Sequence, residues 1–173
     1  MHKWQKYLKF GLVFVTSALF LHGCATPAIP MKPNDDLPEG FGALMLISHC
    51  PFREGVRYFE IYRKGDSRSA GKTFKTKAFS PGTEFRVLQL PAGEYSIQEF
   101  KIGPYMLRIP KDGLDFTVYP GRVNYFGDLY FRDSGTGSLQ YIISDRTEQA
   151  NSLLTNRYPE LINKYPLEYV ATE

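Results

Sequence analysis

Few residues in this chain could do covalent or metal chemistry. It holds three histidines and two cysteines, and only His49 and Cys50 stand next to each other as a possible base and thiol nucleophile. Neighbouring residues of a strand point to opposite faces, so this spacing separates the imidazole from the thiol it would have to deprotonate. His2, His22 and Cys24 all lie within the first 24 residues. One histidine and one cysteine beyond them cannot assemble a zinc centre of imidazole and thiolate ligands. Asp133-Ser134-Gly135-Thr136-Gly137-Ser138 offers a carboxylate in a glycine-flanked loop. Hydrolysis by proton-sharing carboxylates needs two such loops, hence a symmetric dimer here, and the same residue types are those that chain reversals prefer. There is no glycine-rich phosphate loop, nucleophile elbow or paired-carboxylate metal motif. The reading is therefore a protein without cofactor or metal and not an enzyme.

Cys24 could carry a different chemistry. Lys3, Lys6 and Lys9 precede an apolar-to-small run from Phe10 to Leu21, about 12 residues and too short to span a bilayer stably, and Leu21-His22-Gly23-Cys24 closes it. The basic segment, the apolar run and a small residue before a thiol resemble the signal and lipobox of bacterial lipoproteins, with His22 in place of the usual small or aliphatic residue. An ordinary secretory signal with an incidental cysteine and a retained anchor are the alternatives. The resemblance implies recognition through Leu21 and Gly23, removal of residues 1–23 and multiple acylation of Cys24, which anchors stably where one acyl chain would not. Ala25 stands where Asp would signal inner-membrane retention, which implies the outer membrane, with the domain facing the periplasm.

Composition bounds the remainder. The chain carries 21 Lys and Arg against 18 Asp and Glu, and the three signal lysines account for the whole excess. A formally neutral mature chain gives no footing for nucleic acid. Residues 24–39 contain Pro27, Pro30, Pro33 and Pro38 and read as a tether, of up to about 45 Å if extended as polyproline, or as a segment lying along the domain surface. Residues 40–173 are enough for one domain with its own core. Cys50, at the end of an apolar stretch, reads as a small buried hydrophobe.

The elements that must position any site read as β. Phe41–Ser48 is nearly all apolar, as in a central strand covered on both faces. Val56–Arg63, Thr83–Leu90, Glu94–Ile102, Tyr105–Ile109, Leu114–Tyr119, Val123–Phe131 and Ser138–Ser144 follow, separated by Gly and Pro turns. Pro91-Ala92-Gly93 suits a tight reversal, and Asp112-Gly113 signals a hairpin. The apolar phase slips within Thr83–Leu90 and within Glu94–Ile102, predicting a bulge or a change of sheet. Asp145 and Glu148 have capping-box spacing, predicting a helix from about residue 145, and Pro159 can start a second; both are expected to cover a sheet edge or end. The expected fold is mainly β, an antiparallel β-sandwich of about 7–8 strands with a short C-terminal helical segment.

Leu90-Pro91-Ala92-Gly93-Glu94-Tyr95-Ser96-Ile97 resembles the turn and tyrosine strand of prealbumin-like and carboxypeptidase-regulatory-like β-sandwiches. Phe116 to Gly121, then Val123-Asn124-Tyr125-Phe126-Gly127-Asp128-Leu129, with Asp145 and Tyr158-Pro159 behind, resembles the later strands of a group of uncharacterised bacterial lipoproteins. That resemblance implies fold and location and transfers no catalytic residue.

The candidate binding surface is the basic stretch of Arg63, Lys64, Arg68, Lys72, Lys75 and Lys77, which could meet an acidic envelope protein, an anionic glycolipid or lipid headgroups. A solvated loop is the plainer alternative. The expected function is that of an outer-membrane-anchored, non-catalytic binding module for another envelope component. A small-molecule or lipid carrier and an envelope hydrolase are the alternatives.

Overall fold

A computed structural model describes residues 26–65, 71–110, 114–135 and 138–171. In chain order its elements are β1 (Thr26–Pro27), β2 (Ile29–Pro30), β3 (Phe41–Cys50), β4 (Val56–Arg63), β5 (Lys72–Lys75), β6 (Gly82–Pro91), β7 (Gly93–Ile102), β8 (Tyr105–Arg108), β9 (Asp115–Val118), β10 (Val123–Asp133), β11 (Leu139–Ser144), α1 (Thr147–Arg157), α2 (Pro159–Lys164) and β12 (Leu167–Tyr169). The first sheet has the order β1-β5-β4-β7-β8, with β9 sharing the outer edge of β7. The second has the order β11-β10-β3-β6-β2, with β12 sharing the outer edge of β10.

The architecture is mainly β and sandwich-like, with two corrections to the expected fold. The described residues form 12 strands rather than 7–8, because short pieces of the proline-rich segment, of the basic stretch (β5) and of the tail also pair. Nor is the pairing antiparallel throughout, since β1 runs parallel to β5, β10 to β3 and β12 to β10. β10 reaches β3 after crossing from the first sheet, so no hairpin sets its direction.

Of the two readings of residues 24–39, the described part takes the one that lies along the domain. β1 adds to the first sheet and β2 to the second, with Ala28 buried between them and Met31 buried beyond. The two expected hairpins are likewise replaced. Pro91-Ala92-Gly93 carries the chain from β6 in the second sheet to β7 in the first, a corner closed by the Tyr95 hydroxyl donating to the Pro91 carbonyl at 2.6 Å. Burial holds that hydroxyl, pushing its pKa up to about 12 against the Arg63 charge nearby. β8 and β9 do not pair with each other; both run along one edge of β7. Asp112-Gly113 lies outside the described residues.

Two cores result. Leu44, Leu46, Leu88 and Leu90 of the second sheet meet Phe59, Ile61, Phe100 and Phe116 of the first. On the other face of the second sheet, Ala43, Met45, Ile47, Val87 and Tyr125 meet Ala150, Leu154 and Leu161 of the helices. The central strand β3 is thus buried on both faces, as its continuous apolar run predicts. The helices cover a face of this sheet and not only an edge or end, because Leu154 and Leu161 need an apolar floor. α1 begins at Thr147 with Arg146 at the cap position, and no side chain bonds the cap. Asp145, the expected cap, instead accepts from the Thr147 N–H at 2.9 Å. Pro159 opens α2, the position that suits its missing N–H.

Candidate functional site

The second core ends in a cluster of polar groups at one end of the second sheet. Register places Thr83 of β6, His49 of β3, Tyr130 of β10 and Ile142 of β11 in a single cross-strand row. His49 lies on the face away from Cys50, which joins the core between the sheets. Its Nδ1 stands 2.9 Å from the Thr83 Oγ1 and its Nε2 2.7 Å from Asp128 Oδ2. In the neutral tautomer that carries its proton on Nε2, His49 donates to Asp128, and Nδ1 is the nitrogen that can accept from the Thr83 hydroxyl. The His49 and Tyr130 rings stack with centroids 4.1 Å apart.

A bulge makes this possible. Met45 pairs with Tyr125 and Ile47 with Asp128, so β10 spends three steps where β3 spends two. The extra residue switches the face that each side chain takes. Tyr125 and Asp128 thereby share the helix-side face, while Phe126 and Leu129 join the other core. Gly127 sits at φ +106°, and a Cβ there would come within 2.7 Å of Ile143 Cγ2. Only glycine fits.

Asp128 is 3% exposed, and both of its carboxyl oxygens have partners. Tyr125 donates its hydroxyl to Oδ1, and His49 holds Oδ2. Burial and then this bond to Asp128 push the Tyr125 pKa far above the ordinary tyrosine value. Arg146, just before α1, donates from Nη1 to the Tyr130 hydroxyl at 2.9 Å, tying the row to the helical layer. At this end of the sheet lies an open depression of about 300 Å³ lined by His49, Thr83 and Tyr130 of the row and by Cys50, Pro51, Gly82 and Phe131. The arrangement is chemically a hydroxyl, an imidazole and a buried carboxylate in series. Among the described residues no group of three or more His, Cys, Asp or Glu is placed to hold a metal ion.

Thr83 and Asp128 do not stand out as site residues by motif. Tyr125 and Tyr130 stand out only within an aromatic excess, with Tyr119 and Phe126, that could form an exposed binding face; Tyr125 and Phe126 are instead buried, Tyr130 is half-buried and Tyr119 is exposed. The signal available was a glycine inside an apolar strand followed by a carboxylate, Gly127-Asp128, which marks a bulge and a buried charge. Cys50 is 1% exposed, and burial pushes its thiol pKa up.

The basic stretch is dispersed rather than gathered into one free surface. Arg63 donates to the Ala92 carbonyl at 2.7 Å, serving the corner. Lys64 pairs with Asp115, and Lys75 with Glu60 at 2.9 Å while covering the Tyr58 ring. Lys72 lies over Phe74, and Lys77 is exposed. Arg68, together with Leu21, Gly23 and Cys24, lies outside the described residues. Comparison of the chain with protein-family models, with curated proteins and with solved structures found no match in any of the three.

Proposed function

We propose that this protein is a lipid-anchored module of the bacterial outer membrane, whose sandwich holds or recognises another envelope component. The observation that carries this reading is the join between signal and fold. Ala25 alone separates the lipobox-like Leu21-His22-Gly23-Cys24 from β1, so a lipid on Cys24 would hold the sandwich close to its bilayer. The filled inter-sheet core favours a binding surface over an internal carrier cavity. In-cell crosslinking with mass spectrometry tests it, comparing the native chain with Cys24→Ala exported by an ordinary signal. A discrete envelope protein captured only by the anchored form is the expected result; capture of nothing above background by either form overturns the reading.

One observation favours a second reading, an envelope hydrolase. The Thr83, His49 and Asp128 series has the order of nucleophile, base and orienting carboxylate. In it the Thr83 oxygen would bond to an ester carbonyl carbon as its proton passes to His49 Nδ1. The leaving alcohol would take that proton, and water would then release the acyl group from Thr83. Hydrolysis of a small activated ester, lost in both Thr83→Ala and His49→Gln while folding is retained, is the outcome this second reading requires.

A further inference from the structure

The first strands define which side of the domain a lipid anchor pulls on. β1 is the edge of the first sheet and β2 the edge of the second, and Ala28 alone separates them in the chain. Both edges therefore lie on one side of the sandwich. Edges β8 and β11 lie on the other side, where Phe100 of β7 contacts Tyr141 of β11 at 5.5 Å between ring centroids. Cys24 precedes Thr26 by two Cα steps, at most about 7 Å. A lipid on Cys24 cannot leave the β1 side far from the bilayer.

The chemistry of that side fits such a neighbour. Ile29 on β2 is 60% exposed, the most exposed large apolar residue among those described. Lys72 on β5, the strand beside β1, and Lys77 just after it are exposed and have no carboxylate within salt-bridge distance among the described residues. An exposed apolar side chain on β2 together with lysines on and just after β5, the strand beside β1, is the pattern of a surface resting at a headgroup boundary. The other side, about 19 Å away across four strand spacings, carries Tyr105, Met106 and Ile142, each about half exposed.

We infer that the β1–β2 side lies against a phospholipid surface containing anionic headgroups, with Ile29 at the headgroup boundary and Lys72 and Lys77 over phosphates. The β8–β11 side is then the one presented outward to a partner. This rests on the anchored reading above.

The test uses the full chain, produced with its own signal and placed in vesicles of phosphatidylcholine and phosphatidylglycerol carrying a lipid-borne quencher. A fluorophore is attached in turn through Ile29→Cys, Lys72→Cys, Tyr105→Cys and Ile142→Cys; all four positions are exposed, and buried Cys50 stays unlabelled. Several-fold stronger quenching at 29 and 72 than at 105 and 142 is expected, and the contrast should weaken in phosphatidylcholine alone or in high salt. Equal quenching at all four sites, or stronger quenching at 105 and 142, overturns the inference, and a contrast indifferent to headgroup charge removes its anionic part. The mass of the N-terminal peptide separates the two levels. An unacylated Cys24 removes the anchored reading and the inference together, whereas an acylated Cys24 with no contrast removes the inference alone. Amide exchange of the unsubstituted chain, with protection gained at 29–32 and 72–77 on vesicles, gives the same readout without any labelled variant.

Discussion

Between the two sheets, Phe59 meets Phe79, Phe100 and Phe131 with ring centroids 4.9 to 6.3 Å apart, and the surrounding residues are almost wholly apolar. Under the helices the second core is equally dry at its centre but ends in Asp128, Tyr125, His49 and Thr83. Both faces of one sheet are closed, by different physics. The first is held by area and shape, which tolerate no loss of volume. The second is held at one end by hydrogen bonds whose members depend on each other, so removing one strands the rest. Stability is expected to reside in the first and any adjustable chemistry in the second.

The largest effect should come from emptying the aromatic core. Phe59→Ala removes a fully buried ring and is expected to cost about 3–5 kcal/mol, read from the denaturant midpoint. Asp128→Ala should cost about 2–3 kcal/mol, because it leaves the Tyr125 hydroxyl and His49 Nε2 without their acceptor. A cost near zero would mean that the polar end contributes no stability.

Alkaline titration discriminates the two regions further. Burial raises the pKa of Tyr95 to about 12 and raises that of Tyr125 as well, whereas both ionise near pH 10 (about the model-peptide value) once unfolded. The folded chain then binds more protons than the unfolded one, so their contribution is complete below about pH 10 and falls as pH rises toward about 12. Tyr95→Phe and Tyr125→Phe should each flatten that decline in equilibrium unfolding measured across the window. The smallest effect is expected at Ser48, whose fully buried hydroxyl has no hydrogen-bond partner among the described residues. Ser48→Ala should be neutral or stabilising by up to about 1 kcal/mol, the reverse of Asp128→Ala, because here no partner is stranded.

How far the sequence discloses this can be followed in its two phase slips. Phe85 and Val87 pack toward the helices while Leu88 and Leu90 pack between the sheets, so β6 does not slip; it is buried on both sides. In β7, Ile97 and Phe100 enter the same core, and pairing jumps from Glu99 to Ile97 while the partner moves one residue, so the slip is a true bulge. Identical patterns had two causes because a sequence records burial but not which layer supplies it. The longer strands and both helices were legible from period and turn chemistry, whereas β1, β2, β5 and β12, of two to four residues each, are too short to carry a period. The sheet change at Pro91-Ala92-Gly93 was not, since a corner and a hairpin use the same residues. The cluster at Asp128 was hidden for another reason: its members come from β3, β6 and β10, and only register brings them together.

The parallel pairing of β3 with β10 also dictates a timetable. Ala43 lies beside Val123, and Tyr125 beside Tyr169 of β12, so the middle of the second sheet waits for residues from the far end of the chain. A chain appearing N-terminus first can form β3 with β6 early, but one long flank of its most apolar strand stays open until β10 emerges, about 80 residues after β3 and about 30 after β6. Through that interval the polypeptide is an unfinished sheet in search of its last strands, exposed to wrong partners until they arrive.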